Sequence, residues 1–296
     1  HFFDHTAHNY LHGICDDLGM NYFGGYAAKM YDLVRTRERE RFLKYGGAFL
    51  EAAARRAPTS RTFSPLRPFN FVYVPEAPRR DLTGGDKKIL ILCDEGREDG
   101  NLAKMIQGFR DNFAHPVETI FLTDIDIKGG CLGCCRCGLD NVCQYQGKDG
   151  FIVFYNEKVK GADIIVMAGE IRDRYLSSRW KQFFDRSFFN THTPTLADKQ
   201  LVFLISGPLG QLPNLVEILS AYAQFQSANI AGIVTDEGED GPQLDGLLRE
   251  SAVRALRMAA QRYVPPMDFL GVAGMKIFRD EVWGMLRFVF QADHRY

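Results

Sequence analysis

Five of the chain's seven cysteines lie within thirteen residues, from position 131 to position 143. Cys131, Cys134, Cys137 and Cys143 follow the spacing C-x2-C-x2-C-x5-C. Two cysteines separated by two residues can present their thiolates to one metal centre from a single turn of loop. The run has soft ligands and lacks the two well-separated pairs of a usual zinc site. It therefore favours an iron–sulfur cluster of the [4Fe-4S] type, held by these four residues.

The same run of cysteines is open to three other interpretations: a structural zinc loop, a redox-active pair of thiols, or cysteines that only pack. Cys135 breaks the spacing, and we interpret it as a spare thiol. Gly133 and Gly138 have no side chain, so we expect them to let the backbone wrap closely around a bound group.

The composition is that of an ordinary soluble globular protein, with 46% hydrophobic and 25% charged residues in a chain of 296. This length accommodates one large domain or two smaller ones. The net charge of −1 gives no indication of a nucleic-acid partner, and no apolar run is long enough to cross a membrane. Clustered cysteines without a signal peptide favour a reducing, cytoplasmic compartment. Because the sequence begins at His1 without a methionine, we expect a fragment or a processed chain.

Apolar runs of strand length alternate with helical patterns after residue 86. The predicted strands are 88–92, 117–122, 163–168, 201–206 and 229–235. The predicted helices are 102–113, 149–160, 175–189, 213–227 and 243–263. Strands that are apolar throughout and alternate with helices predict a parallel sheet covered on both faces. We therefore predict an α/β fold with a doubly wound, flavodoxin-like sheet of five strands in the order 2-1-3-4-5. Its site should lie at the carboxyl ends of the strands.

The residues before and after this region form the other predicted domains, 1–85 and 265–296, around a central domain at 86–264. The first contains a helix at 4–18, a strand at 20–26, a helix at 31–56 and a linker at 58–86, in which 69–74 is an edge strand. A similar order of helix, strand and helix recurs at 214–265, which gives the hypothesis that 1–58 is a partial flavodoxin-like repeat; chance is the alternative. The last domain carries an aromatic helix at 278–290 that we expect another domain or subunit to cover.

Three stretches of the central domain carry a family resemblance. Arg97-Glu98-Asp99-Gly100-Asn101-Leu102-Ala103-Lys104 has the form of a G-S-P-R-x-x-G-N-T phosphate loop. The cysteine run is followed by Lys148-Asp149-Gly150, and the segment 177–186 has the form S-x-x-x-K-x-F-x-D-R. Together the three stretches resemble the NAD(P)H-dependent FMN reductase and iron–sulfur flavoprotein families of flavodoxin-like proteins.

The resemblance implies an FMN cofactor beside three loops, at 94–102, 169–177 and 206–210. The cofactor-binding residues that it implies are Arg97, Gly100, Asn101, Arg172, Arg174, Tyr175, Ser206 and Gly207. In this sequence Glu95 stands where the family phosphate loop has serine, and further carboxylates surround it. Because these charges oppose a phosphate, we expect flavin binding to depend on Arg97, Arg172 or Arg174 as a counter-charge.

The function implied is a flavin- and iron–sulfur-dependent oxidoreductase that passes electrons between NAD(P)H or another donor, FMN and an external acceptor. An electron-transfer protein is then a partner, and the chain is a homo-oligomer or part of a complex. The alternative is a degenerate flavodoxin-like module whose cysteine loop holds a structural metal and whose role is assembly with a partner chain. His192, in a loop after a predicted helix, could supply a proton, although a lone histidine is more often structural.

Overall fold

The computed structural model describes residues 4–28, 31–67, 70–94 and 99–295. The chain divides into two compact units, 1–67 and 68–296, so the division falls before the predicted boundary at 85–86. Among the described residues, none of the helices has both the length and the apolar character that a membrane span requires.

The second unit is built on a parallel sheet of five strands. They are β1 (Ile89–Cys93), β2 (Glu118–Phe121), β3 (Ile164–Glu170), β4 (Gln200–Ser206) and β5 (Asn229–Thr235). Their order is β2-β1-β3-β4-β5, and every neighbouring pair is parallel. The predicted flavodoxin-like fold and strand order are therefore confirmed. All five strands end at the same edge of the sheet, where the loops of a site in this fold would lie.

Nine α-helices are found in the described residues. They are α1 (Asp4–Asp17), α2 (Thr36–Ala54), α3 (Asn101–Arg110), α4 (Cys137–Asp140), α5 (Phe151–Phe154), α6 (Ser178–Ser187), α7 (Pro213–Phe225), α8 (Gly241–Gln261) and α9 (Phe269–Trp283). A π-helical turn, Tyr155–Val159, continues α5.

Successive residues of a strand point to opposite sides of the sheet, so strands that are apolar throughout place apolar side chains on both faces. Helices cover both faces and bury these side chains. On one face, Val166 and Val202 pack in a core with Phe109 of α3 and Leu248 of α8. On the other side, α5 and α6 bury an aromatic cluster that includes Phe151, Tyr155, Trp180 and Phe183, none of which is exposed. The five apolar runs in the sequence thus form the strands of a sheet that helices cover on both faces.

The predicted strand at 20–26 is wrong, since the structure has coil there. A strand is stable only beside another strand, because its backbone N–H and C=O groups need partners. The described residues of the first unit contain helices α1 and α2 but no strand. Of the helix, strand and helix that the partial repeat predicts, the structure contains the two helices but not the strand between them.

The predicted edge strand at 69–74 is also not found in its described residues, 70–74, while Phe69 lies outside them. This segment does not pair with the edge of the sheet. Side chains of α3 and α8 hold it instead. The Tyr73 N–H donates to Asn101 Oδ1 at 2.9 Å. The Tyr73 hydroxyl donates to Asp245 of α8, and the ring is fully buried.

The predicted aromatic helix at 278–290 has the wrong bounds. The helix is α9, which ends at Trp283 before Gly284, and turns follow it as far as a 3₁₀ turn at Gln291–Arg295. Phe290 is buried within the second unit itself, against Phe188. Trp283 and Phe288 are exposed.

Candidate functional site

The five clustered thiols lie around one small cavity in the loop between β2 and α5. The cavity has a volume of about 50 Å³. Its lining includes Cys131, Cys134, Cys135, Cys137, Cys143, Tyr145, Arg186, Phe188 and Phe189. The structure therefore brings the four predicted ligands together, against the end of α6.

The four cysteines of the regular spacing differ in exposure. Cys131 and Cys134 are exposed at the rim, whereas Cys137 is buried. Burial, followed by the neighbouring thiols of Cys143, Cys131 and Cys134, raises the pKa of Cys137 to about 11. Cys137 is thus protonated at neutral pH, and any metal that it binds has to displace that proton.

Cys135 is held differently from the other four. Its backbone lies in the left-handed region at φ 54°, beside Gly133 at φ 61°. Its thiol donates to the Gly133 carbonyl at 3.6 Å. Burial raises the pKa of Cys135, and so do the neighbouring thiols of Cys134 and Cys131. Cys135 lines the same cavity as the other four thiols, so its role as a spare thiol stays a prediction.

The described residues contain no group of three or more histidine, cysteine or acidic side chains that could hold a single metal ion. In a structural zinc site each sulfur lies about 2.3 Å from a single metal ion. A four-iron cluster makes a different demand, because each thiolate binds a separate iron atom. Four thiols are the donor type that such a cluster takes, but their placement in the described residues does not itself form a metal-holding group.

A buried ion pair attaches the cysteine loop to α6. Arg186 Nη1 and Nη2 donate to the two oxygens of Asp149 at 2.8 and 3.0 Å, and the two side chains are 1% and 0% exposed. Arg186 also donates to the Gly129 carbonyl at 2.9 Å and lies 4.1 Å from the centre of the Tyr145 ring. Burial would raise the pKa of Asp149, but Arg186 and the backbone N–H groups of Lys128 and Phe151 lower it. The pair fixes both ends of the loop that carries the cysteines.

The end of the chain packs directly on the cysteine loop. A Cβ atom added to Gly138 would lie 2.3 Å from the Val289 carbonyl oxygen, so only glycine fits at this position. Phe290 packs edge-on against Phe188, which also lines the cysteine cavity. We had expected Gly138 to allow wrapping around a bound group, but the contact that requires it is the one with the tail.

A second polar site lies at the carboxyl edge of the sheet. The buried carboxylate of Asp236, directly after β5, accepts hydrogen bonds from Asn101 Nδ2 at 2.8 Å, Ser206 Oγ at 2.8 Å and the Gly207 N–H at 2.9 Å. Three of the predicted cofactor-binding residues are therefore brought together, but by a carboxylate of the chain itself. The side-chain donors of Asn101 and Ser206 and the backbone N–H of Gly207 are thus used within the protein.

The loop after β3 forms a tight turn. Arg172 and Tyr175 exchange backbone hydrogen bonds at 2.8 and 3.1 Å across Asp173, which has φ 54°. Arg172 is paired with Glu170 at 3.7 Å, and both side chains are about 40% exposed. Arg174 is buried. Of the two arginines, Arg174 is the one whose charge lies inside the protein.

Arg97, the remaining predicted phosphate ligand, and Glu95 lie outside the described residues. Gly100 caps α3 without a side-chain hydrogen bond, so the first N–H groups of that helix have no side-chain cap and suit an anion. The described residues thus fit a flavin phosphate through the backbone at the start of α3, while Asp236 close by opposes its charge.

The loop after β3 and the cysteine cavity lie at opposite ends of α6. The loop after β3 leads into the start of α6, where Ser177 accepts from the Trp180 N–H. The cysteine cavity lies at its far end, about 15 Å away for a helix of ten residues.

Sequence reasoning missed the acidic partners at these sites. Asp149 and Arg186 both stood in the quoted motifs, but no local pattern pairs residues so far apart. Asp236 had a weak signal, since it is a polar residue directly after a buried strand.

No protein-family model matches the sequence, and no curated protein does. The structure is similar in fold to solved structures of flavin enzymes. RosB with bound 8-demethyl-8-formylriboflavin-5'-phosphate is 15% identical, with 66% of this chain and 87% of that chain covered and a TM-score of 0.48. Azoreductase AzrA is 14% identical, with coverages of 59% and 99% and a TM-score of 0.40. The FMN-dependent NADH-azoreductase from Bacillus anthracis str. Ames Ancestor, in complex with FMN, is 14% identical, with coverages of 59% and 98% and a TM-score of 0.41. At these identities and scores, the likeness carries no functional argument.

Proposed function

We propose that the chain is an oxidoreductase that uses FMN and an iron–sulfur cluster to pass electrons between NAD(P)H or another donor and an external acceptor. The observation that carries the proposal is the convergence of Cys131, Cys134, Cys137 and Cys143 on one cavity in a flavodoxin-like unit. When bound, the flavin would supply exchange of one or two electrons and the cluster exchange of one.

The chain's own residues have separate tasks in this proposal. The four cysteines hold the cluster, and the Asp149–Arg186 pair keeps their loop on α6. The exposed rim at Cys131 and Cys134 leaves the cluster accessible to a partner protein. The backbone N–H groups at the start of α3 and the buried Arg174 bind and orient the flavin phosphate.

The proposal is tested by the spectrum and metal content of protein purified without oxygen. We expect a brown protein with a broad visible absorption that bleaches on reduction, and close to four iron atoms per chain. Reduction by NADH or NADPH after addition of FMN would support the whole electron route. Stoichiometric zinc without iron would contradict the assignment of an iron–sulfur cluster to these cysteines.

A second candidate function is a non-catalytic module that acts in assembly with a partner chain. One observation favours it: the donors of Asn101, Ser206 and Gly207 all bind Asp236, so they are not available to a flavin. This alternative predicts that the protein binds neither FMN nor riboflavin. It also predicts that any metal present does not change its oxidation state with added reductant.

We expect FMN to bind weakly and to depend on Arg174. Substitution Arg174→Ala should weaken FMN binding about tenfold or more, because a hydrogen bond to a charged group contributes about 1.5–3 kcal/mol. Riboflavin, which lacks the phosphate, should bind equally to both proteins. Titration of apo-protein followed by flavin fluorescence measures both ligands.

The matched control is Arg257→Ala, which removes an exposed arginine of α8 and should leave both affinities unchanged. Tight FMN binding that Arg174→Ala does not alter would contradict this placement of the phosphate.

A further inference from the structure

A second cavity lies on the outer side of α6, between that helix, α7 and α9. Its volume is about 150 Å³, and its wall is largely apolar, with Phe184, Tyr222, Phe225 and Phe278 among the lining side chains. A cavity of this size with apolar walls accommodates a benzene-sized molecule.

One side chain of the wall, His192, is held by a buried carboxylate. Its Nδ1 lies 2.6 Å from Asp293 Oδ2, and the two side chains are 12% and 8% exposed. The other oxygen of Asp293 accepts from the Thr191 hydroxyl and from the His192 N–H. Burial would raise the pKa of Asp293, but the hydrogen bonds from His192 and Thr191 lower it, so the carboxylate is ionised.

The ionised carboxylate determines which nitrogen of His192 carries the proton. An ionised carboxylate only accepts hydrogen bonds, so Nδ1 must donate. In the neutral ring, Nε2 is then an acceptor with its lone pair available. The structure gives this nitrogen no hydrogen-bond partner among the described residues.

The backbone beside His192 is strained. Thr191 has φ 57° and ψ −134°, although a β-branched residue rarely adopts a positive φ. Such conformations persist where surrounding contacts hold them, and they are concentrated at binding and active sites. Here Asp293 holds both the Thr191 side chain and the following N–H.

We propose that this cavity is a binding site for a small aromatic ring with a hydroxyl group, of the phenol class. The ring occupies the apolar cavity, and its hydroxyl donates a hydrogen bond to His192 Nε2, which Asp293 holds in the accepting tautomer. Two other hydroxyls of the wall are engaged, since Ser187 donates to the Phe184 carbonyl and Thr191 donates to Asp293. The buried Tyr222 hydroxyl has no hydrogen-bond partner among the described residues and is the second acceptor of the wall, which the replacement of His192 distinguishes. The site requires neither flavin nor cluster.

Isothermal titration calorimetry of the full chain with phenol and with toluene tests the proposal. The two ligands have nearly the same shape, and only phenol can donate to Nε2. We expect saturable binding of phenol, about tenfold tighter than that of toluene, because phenol makes one hydrogen bond more and a single hydrogen bond contributes up to about this factor. Absence of saturable phenol binding, or equal affinity for the two ligands, would overturn the proposal without any variant.

Substitution His192→Phe should remove the preference for phenol over toluene while keeping an apolar site. His115→Phe, which alters an exposed histidine, is the matched control and should keep the preference. If His192→Phe retains the full preference, the hydroxyl is recognised elsewhere and the assignment to His192 is wrong. If His192→Phe does not fold, the ratio of the phenol and toluene affinities, measured for the unmodified chain and for His115→Phe, still tests the proposal.

Discussion

Substitution Arg186→Met is expected to lower the free energy of unfolding of the second unit by about 3–5 kcal/mol. This is the usual effect of removing one partner of a buried ion pair, because the other charge stays buried without compensation. The Asp149 carboxylate is 0% exposed and, among the described residues, would keep as donors the backbone N–H groups of Lys128 and Phe151. Urea denaturation followed by the fluorescence of Trp180, which is buried in α6, measures the change.

The double variant Arg186→Met/Asp149→Asn should regain part of this loss, since it removes the buried charge as well. The matched control is Arg136→Met. Arg136 makes a two-bond contact with Asp140 in the same cysteine loop, at 2.6 and 3.1 Å, but this pair is exposed to solvent. Exposed pairs contribute little to stability, so the control should change unfolding far less. Equal effects of Arg136→Met and Arg186→Met would contradict the role of the buried pair.

The same pair predicts a dependence on pH. In the unmodified chain the pKa of Asp149 is lowered, so the pair contributes stability above the unfolded pKa of about 3.9 and loses it as the pH falls through the lower folded pKa. In Arg186→Met, burial without the guanidinium raises the pKa of Asp149. Protonation of Asp149 then removes the uncompensated buried charge and increases the free energy of unfolding of the variant. Because the unfolded pKa is common to both proteins, the difference in stability should shrink as the pH falls from the raised pKa of Asp149 in the variant, above about 3.9, to its lowered pKa in the unmodified chain.

Substitution Cys134→Ser is expected to abolish the brown colour and to reduce the iron content from about four atoms per chain to nearly none. Serine offers a harder oxygen ligand in place of a thiolate, and a [4Fe-4S] cluster needs four soft ligands. Iron and sulfide analysis, with the visible spectrum, on protein prepared without oxygen gives the result.

Cys135→Ser is the matched control, because it changes the adjacent thiol in the same loop. Cys135 donates to the Gly133 carbonyl and stands outside the regular spacing of the other four cysteines, so its replacement should leave colour and iron content unchanged. Equal loss of iron in the two variants would mean that Cys135 is a ligand. Unchanged iron in Cys134→Ser would remove Cys134 from the set.

The sequence by itself determined the order of strands in the sheet and the position of the cysteine loop after β2. Strands such as Ile164–Glu170 and Gln200–Ser206 consist almost wholly of apolar residues, a pattern that is stable only in a sheet covered on both faces. The spacing of the cysteines is local as well, since a short loop keeps residues that are close in sequence close in space. These signals do not depend on distant parts of the chain.

Only the tertiary structure decided what surrounds these elements. The pairs Asp149–Arg186 and His192–Asp293 join residues separated by 37 and 101 positions, and no periodicity or spacing encodes such a contact. The predicted strand at 20–26 failed for the same reason, because strand formation depends on a neighbouring strand and not on the apolar character of the segment alone. The donors of Asn101 and Ser206 matched a flavin loop in type, yet Asp236, brought beside them by the end of β5, accepts both. Local chemistry specified which groups the chain carries, and packing at long range determined which partner each of them binds.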